Sequence, residues 1–212
     1  MTSTAVSSAN SHVYIETADG TGKTITAITK ANPCVVTSAA HGLAVGTVVV
    51  ISGVVGMTEL NGRAAVVTAA ATGTFTLGGI DSTNYTTYTS GGTALPKTMT
   101  EVENVKSWDR PGNPAAEIDV TNLASTARER ISGLADRGSV TMALDIDDDG
   151  PGQVALRKAV GGAAKAMKVV RGDGKSFAVM VSWNNLGDSL GVDTAHSGSA
   201  SGYISTDYAW FA

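Results

Sequence analysis

The sequence predicts a mainly β protein with one flanking helix and a small inserted β-barrel-like domain, and three features carry that prediction. Apolar and polar residues alternate with period two at 139–146 and 176–183, and more briefly at 117–121. Gly150-Pro151 opens one stretch with an apolar stripe at helical spacing. Between residues 24 and 95 the only charged side chains are Lys30, Glu59, Arg63 and Asp81, although the chain holds 15 basic and 19 acidic residues.

That composition break divides the chain. Residues 24–95 form one module, and residues 1–23 with 96–212 form a second, discontinuous domain. Within the module, strands are predicted near 24–30, 34–38, 47–52, 63–70 and 74–78, each bounded by turn residues. Asn61-Gly62 is the strongest turn signal, because both residue types tolerate positive φ. Short runs at this spacing suit a small barrel or sandwich.

Beyond Pro96 the strands lengthen. In 139–146, Val140, Met142, Leu144 and Ile146 fall on one face and Ser139, Thr141, Ala143 and Asp145 on the other. In 176–183 the same pattern places Phe177, Val179, Val181 and Trp183 together. The helix is predicted to follow Asp147-Asp148-Asp149-Gly150-Pro151, where acidic side chains favour a helix start. Leu156, Ala159, Val160 and Ala163 are its apolar stripe, and Gly161-Gly162 shortens it. Residues 193–212 read as Ser/Gly/Tyr-rich extended chain.

Residues 122–138 match neither period and carry Arg128, Glu129, Arg130, Asp136 and Arg137. Unstructured loops beyond ~12–15 residues are uncommon in compact domains unless functional. This segment is therefore the first functional candidate.

Composition excludes several classes. A net charge of −4 and a pI near 5.3 oppose a nucleic-acid-coating role. One cysteine, Cys34, permits neither an intrachain disulfide nor a zinc cluster and suits a reducing compartment. No apolar run approaches the ~20 residues that span a bilayer, and residues 1–11 lack the pattern of a signal peptide.

The catalytic motifs each fail at a named position. Gly20-Thr21-Gly22-Lys23-Thr24 resembles the end of a phosphate-binding loop, but Thr17 stands where its first Gly is needed. Gly172-Asp173-Gly174-Lys175-Ser176 fails likewise at Val169 and reads as a hairpin turn. Arg171-Gly172-Asp173 spells an adhesion tripeptide inside that same turn. Asp145, Asp147 and Asp149 open like a calcium loop, yet Leu156 occupies the position of its bidentate Glu. They are a weak metal candidate beside a simple helix start. His12, His41 and His196 have no metal-ligand spacing, and His41 reads as a turn residue. No Ser lies in a nucleophile elbow. No catalytic or cofactor-binding residue is assigned, and no cofactor is expected.

Two resemblances organise these readings. Ile28-Thr29-Lys30-Ala31-Asn32-Pro33, His41-Gly42-Leu43, Gly56-Met57-Thr58-Glu59-Leu60-Asn61-Gly62, Phe75-Thr76-Leu77 and Tyr88-Thr89-Ser90-Gly91-Gly92 resemble a β-module recurrent in bacteriophage tail proteins. That module is similar to the FCCH-type domain of ubiquitin-activating enzymes; the resemblance implies an outward add-on domain and no ubiquitin chemistry. Glu117-Ile118-Asp119-Val120-Thr121, Ser125-Thr126-Ala127-Arg128-Glu129, Gly133-Leu134-Ala135-Asp136-Arg137-Gly138 and the strand 139–146 resemble the major tail tube proteins of long-tailed, lambda-type phages. That family implies a β-sandwich with a flanking helix. Its subunits form hexameric rings that stack into the DNA-ejection conduit.

The resemblance implies as partners other copies of the chain, the tape measure, the tail terminator and the baseplate or tip. DNA passes through the lumen without specific binding, and no membrane is involved. The implied location is the virion tail, after synthesis in the bacterial cytoplasm. Strands within 117–183 are expected to close the tube between subunits, because 176–183 carries no charge or proline to defend an edge. Loop 122–138, with Ser125, Arg128, Glu129, Arg130, Asp136 and Arg137, is expected at the contact between rings. The competing expectation is a tail or capsid decoration protein that binds the host surface through residues 24–95.

Overall fold

The computed structural model describes residues 8–111 and 115–207. The strands run β1 (His12–Asp19), β2 (Lys23–Thr24), β3 (Ala27–Ile28), β4 (Cys34–Thr37), β5 (Val48–Val55), β6 (Ala64–Ala71), β7 (Thr74–Leu77) and β8 (Ser90–Glu101). They continue as β9 (Val105–Asp109), β10 (Ala115–Asp119), β11 (Arg130–Ala135), β12 (Ser139–Asp145), β13 (Lys165–Val170), β14 (Ser176–Ser189) and β15 (Ser197–Ile204). Helix α1 (Pro151–Ala159) lies between β12 and β13, and a 3₁₀ turn covers Thr58–Leu60. The chain is mainly β, as its alternations predict.

One curled sheet runs β3-β4-β7-β6-β5-β8-β1-β13-β14-β15-β12-β9, with β2 beside β8. Its pivot is β8, which pairs with β5 from Ser90 to Lys97 and with β1 from Lys97 to Glu101. The composition boundary at residue 95/96 therefore falls inside a continuous strand.

Three apolar clusters fill the curl. The module core gathers Val36, Ile51, Met57, Leu60, Phe75 and Leu77. A second core, roofed by α1 through Leu156 and Ala159, gathers Ile15, Leu144, Met167, Val179 and Trp183. The third joins the two halves: Val48, Ala64 and Val66 of the module meet Ala166 and Ala178, with Met99 and Met180 alongside. Small residues on β6 and β14 allow these strands to approach across the curl. A buried ion pair sits on the same face, with Lys97 Nζ 3.0 Å from Glu16 Oε1. The other Glu16 oxygen accepts the Ala166 N–H at 2.9 Å.

Several local expectations need correction. At Asn61-Gly62 only Gly62 takes positive φ (+80°); Asn61 is extended, and its side-chain amide instead bonds the Val54 N–H and C=O, each at 2.9 Å. Helix α1 ends at Ala159, because Val160 is already extended and Gly161 turns to φ +71°. Ala163 therefore lies outside the helix. The segment 122–138 is not an unstructured loop: β11 lies within it and pairs with β10 as a separate two-stranded ribbon. Finally, 176–183 is no edge. It belongs to β14, flanked by β13 and β15, and its lack of charge follows from burial of Phe177 and Val179 on one face and Ala178 on the other.

Gln153 escapes any periodicity argument, yet it fastens the helix. Fully buried, it donates to the Glu103 and Asp145 carbonyls at 2.9 and 2.8 Å and accepts the Asp147 N–H at 3.0 Å.

Candidate assembly surface

The β10–β11 ribbon leaves the body between β9 and β12. Its register places Ile118 opposite Ile131 and Asp119 opposite Arg130. Ile118, Val120, Leu123, Ile131 and Leu134 are all exposed, Leu123 completely and Leu134 at 91%. A two-stranded hairpin is marginal alone in water, and an apolar patch of this kind marks an interaction surface. The alternating segment 117–121 thus lies in and just beyond β10, and among the described residues no core covers its apolar face.

The residues expected at a contact between copies sit together on or beside this ribbon. Arg130 pairs across it with Glu117. The Thr121 hydroxyl accepts the Glu129 N–H at 3.0 Å, and the Ser125 hydroxyl accepts the Asn122 N–H at 3.1 Å. Asp136 accepts the Gly138 N–H at 3.1 Å, and Arg137 reaches Asp207 at 3.5 Å. Arg128 is exposed, and among the described residues it has no ion pair. Of the C-terminal segment 193–212, residues 193–207 are described and contain β15; residues 208–212 lie outside the described residues.

A second apolar protrusion, which the sequence reading did not single out, is the tip between β14 and β15. Leu190 is 78% exposed and Val192 92%. Its signal was legible as two apolar residues in a Gly/Ser/Asp-rich turn. It lies at the other end of the sheet from the ribbon. The ribbon departs where Asp109 pairs with Thr141 and Ser139 with Tyr203, whereas the tip departs where Asp145 pairs with Ser197.

The catalytic look-alikes resolve into structure. Gly20 to Thr24 links β1 to β2, with the Gly20 N–H donating to the Pro96 carbonyl at 2.8 Å, so no helix N-terminus faces it. Arg171 and Asp173 pair with each other at 2.5 Å. That hydrogen bond holds the Asp173 carboxyl at a pKa of about 2. Asp145 pairs with Lys106 at 2.5 Å and Asp148 with Arg157 at 2.9 Å, while Asp147 accepts the Asp149 N–H at 3.1 Å. Among the described residues no group of three His, Cys, Asp or Glu is arranged to hold a metal.

The three histidines are apart. His12 meets Glu101 at 2.6 Å and His196 meets Asp188 at 3.1 Å. His41 is a core residue rather than a mere turn residue: its Nδ1 accepts the Leu43 N–H at 3.0 Å while Nε2 donates to the Ala71 carbonyl at 2.7 Å.

The module uses its polar groups internally. Arg63 is buried and bonds the Tyr85 hydroxyl. Glu59 accepts the Thr86 N–H at 2.8 Å, Asp81 accepts the Thr83 N–H at 2.9 Å, and the Tyr88 hydroxyl donates to the Gly91 carbonyl at 3.0 Å. Among the described residues no helix is long and apolar enough to cross a membrane.

Comparison with known proteins gives two family matches. Residues 66–183 match the family "phage tail tube, TTP, lambda-like". Residues 31–96 match the ubiquitin-activating enzyme E1 FCCH domain. The two overlap over 66–96, where the module strands run into β8. A search of the curated proteins finds no match.

Proposed function

Since this chain belongs to the lambda-like phage tail tube family, a structural family of the virion tail, we propose that it is the major tail tube subunit of a long-tailed phage. Its copies close into hexameric rings, the rings stack, and the tube conducts DNA during ejection. Synthesis takes place in the host cytoplasm. The tape measure, the tail terminator and the baseplate or tip are its further partners. It carries no catalytic role.

The observation that carries this reading is the apolar ribbon. Five large apolar side chains stand exposed on a hairpin that is marginal alone, and in this reading another copy covers them. In this reading Ser125, Arg128, Glu129, Arg130, Asp136 and Arg137 rim the contact between rings. The outer edge of β9 ends the sheet and is the natural place for a neighbouring strand within a ring.

The polar face of β12 and β15 is the side of the sheet on which the module packs, since Tyr203 pairs with Ser182 of β14, whose face also holds Met180 and Ala178 against Ala64 and Val66. Thr141, Ser199 and Tyr203 are exposed there, and neither strand contains Lys or Arg. In this reading the module 24–95, nearly uncharged, and the sheet face it packs on belong on the tube exterior. The Asp147–Asp149 turn only leads into the helix, whose N-cap is Gly150 with no side-chain cap, and Asp145 belongs to β12.

Electron microscopy of the purified protein tests the proposal. The wild-type chain should form tubes or stacked rings. The Leu123→Asp/Leu134→Asp variant should stay folded by circular dichroism but not elongate. A wild-type protein that remains monomeric at all concentrations would sink the reading, and so would normal tubes from the variant.

A further inference from the structure

The ribbon needs a seat, and the geometry limits where it can be. An open-ended stack requires a heterologous contact, in which one end of a subunit meets the opposite end of the next. The ribbon leaves the Thr141 end of β12, and the β14–β15 tip leaves the Asp145 end of the same strand. At ~3.3 Å per residue the seven residues of β12 separate the two ends by about 20 Å. Ribbon and tip are therefore opposed protrusions of one sheet.

Their chemistry is complementary as well as their position. Both are apolar: Leu123 and Leu134 on the ribbon, Leu190 and Val192 on the tip. The tip end is acidic, whereas the ribbon is of mixed charge, with Arg128, Arg130 and Arg137 beside Glu117, Asp119, Glu129 and Asp136. The tip end gathers Asp147, Asp149 and Asp193, all exposed, and Ile146 ties that acidic turn to the tip through a 2.7 Å hydrogen bond to the His196 carbonyl. The ribbon exposes Arg128 with no ion pair among the described residues. The acidic turn that opens like a calcium loop thus acquires a role without a metal.

We propose that the β10–β11 ribbon of one copy docks on the β14–β15 tip of the next. Leu190 and Val192 form the apolar seat, and Asp147, Asp149 and Asp193 form an acidic rim for Arg128. This rests on the tail tube reading and names the receiving surface for its stacking contact.

A complementation experiment tests it. The tip variant Leu190→Asp/Val192→Asp keeps an intact ribbon, and the ribbon variant Leu123→Asp/Leu134→Asp keeps an intact tip. Neither should elongate alone. Mixed one to one, they should form a single contact and stop, seen in sedimentation velocity as a species of about twice the mass of either. The inference is overturned if the tip variant elongates like wild type, or if the mixture gives nothing larger than its components.

A second arm covers loss of folding in the aspartate variants. Leu134→Cys/Val192→Cys, in a chain whose native Cys34 is buried, should give a ladder of cross-linked chains when assembled tubes meet a bismaleimide. Either single-cysteine variant should give no ladder. Tubes that yield no ladder from the double variant would overturn the seat while leaving the tube reading intact. A wild-type protein that never assembles would remove both.

Discussion

Replacing Lys97 by Met removes one member of the buried ion pair that lies where the module strands meet the rest of the sheet. Glu16 is 5% exposed, so its carboxylate would stay buried, still accepting the Ala166 N–H at 2.9 Å but without the ammonium at 3.0 Å. Breaking such a pair costs about 3–5 kcal/mol. Lys165, half-exposed at 3.4 Å from the same oxygen, compensates in part, which puts the loss at the low end, about 3 kcal/mol. For a chain of this size that corresponds to a fall of ~6–12 °C in Tm.

The assay is thermal unfolding by circular dichroism at pH 7, below the assembly concentration. Adding Glu16→Gln should recover at least half of the loss, because removing both partners leaves no uncompensated charge. The pH dependence has a definite sign. Burial pulls the Lys97 ammonium down, but its bonds to Asp19 and Glu16 outweigh that and hold its pKa above the ordinary 10.5. The stabilisation is therefore full below 10.5 and is lost as pH rises through the higher folded value. The gap between wild type and variant should be flat from pH 7 to 9 and close only in strong alkali. A loss below about 1 kcal/mol, the size of a surface bridge, would refute the argument.

Other tests probe the packing and the decoys. Gly152→Ala should lower Tm by ~2–12 °C, since its new methyl would fall 1.8 Å from the Glu101 carbonyl oxygen and overpacking costs ~1–3 kcal/mol; an unchanged Tm would show that α1 can lift from β8. Asp173 should titrate near pH 2 by carboxyl NMR, and Arg171→Ala should return it toward 3.8. Because that pKa is depressed in the fold, its contribution is present above 3.8 and lost as pH falls through about 2; an ordinary titration in the wild type would refute the closed Arg171–Asp173 pair. Excision of residues 24–95 should give an aggregating chain, because it truncates β8 and bares Ala166, Ala178 and Met180. A soluble, cooperatively melting remnant would show the module to be independent of the shared sheet.

Much of the secondary structure and the failure of each catalytic motif could be read from local chemistry. Alternation at 139–146 identified β12 and its buried Val140, Met142 and Leu144, because side-chain period in a strand is a property of the backbone alone. Gly150-Pro151 located the start of α1 for the same kind of reason. The missing glycines at Thr17 and Val169 are likewise a matter of local sequence alone.

What the chain does with those elements is a long-range matter. The sequence shows 117–121 as an alternating strand, but not that its apolar face is left uncovered, because that depends on where β11 pairs. It shows 176–183 as uncharged, and only pairing to β13 and β15 reveals a central strand rather than an open edge. It shows a sharp change in charge at residue 95/96, and only the tertiary structure runs one sheet and one shared core across it. Local propensity and composition follow from neighbours in sequence. Which face stays exposed, and which ends of a sheet oppose each other, follow from pairings that local sequence does not specify, from Ile118 with Ile131 to His12 with Val170.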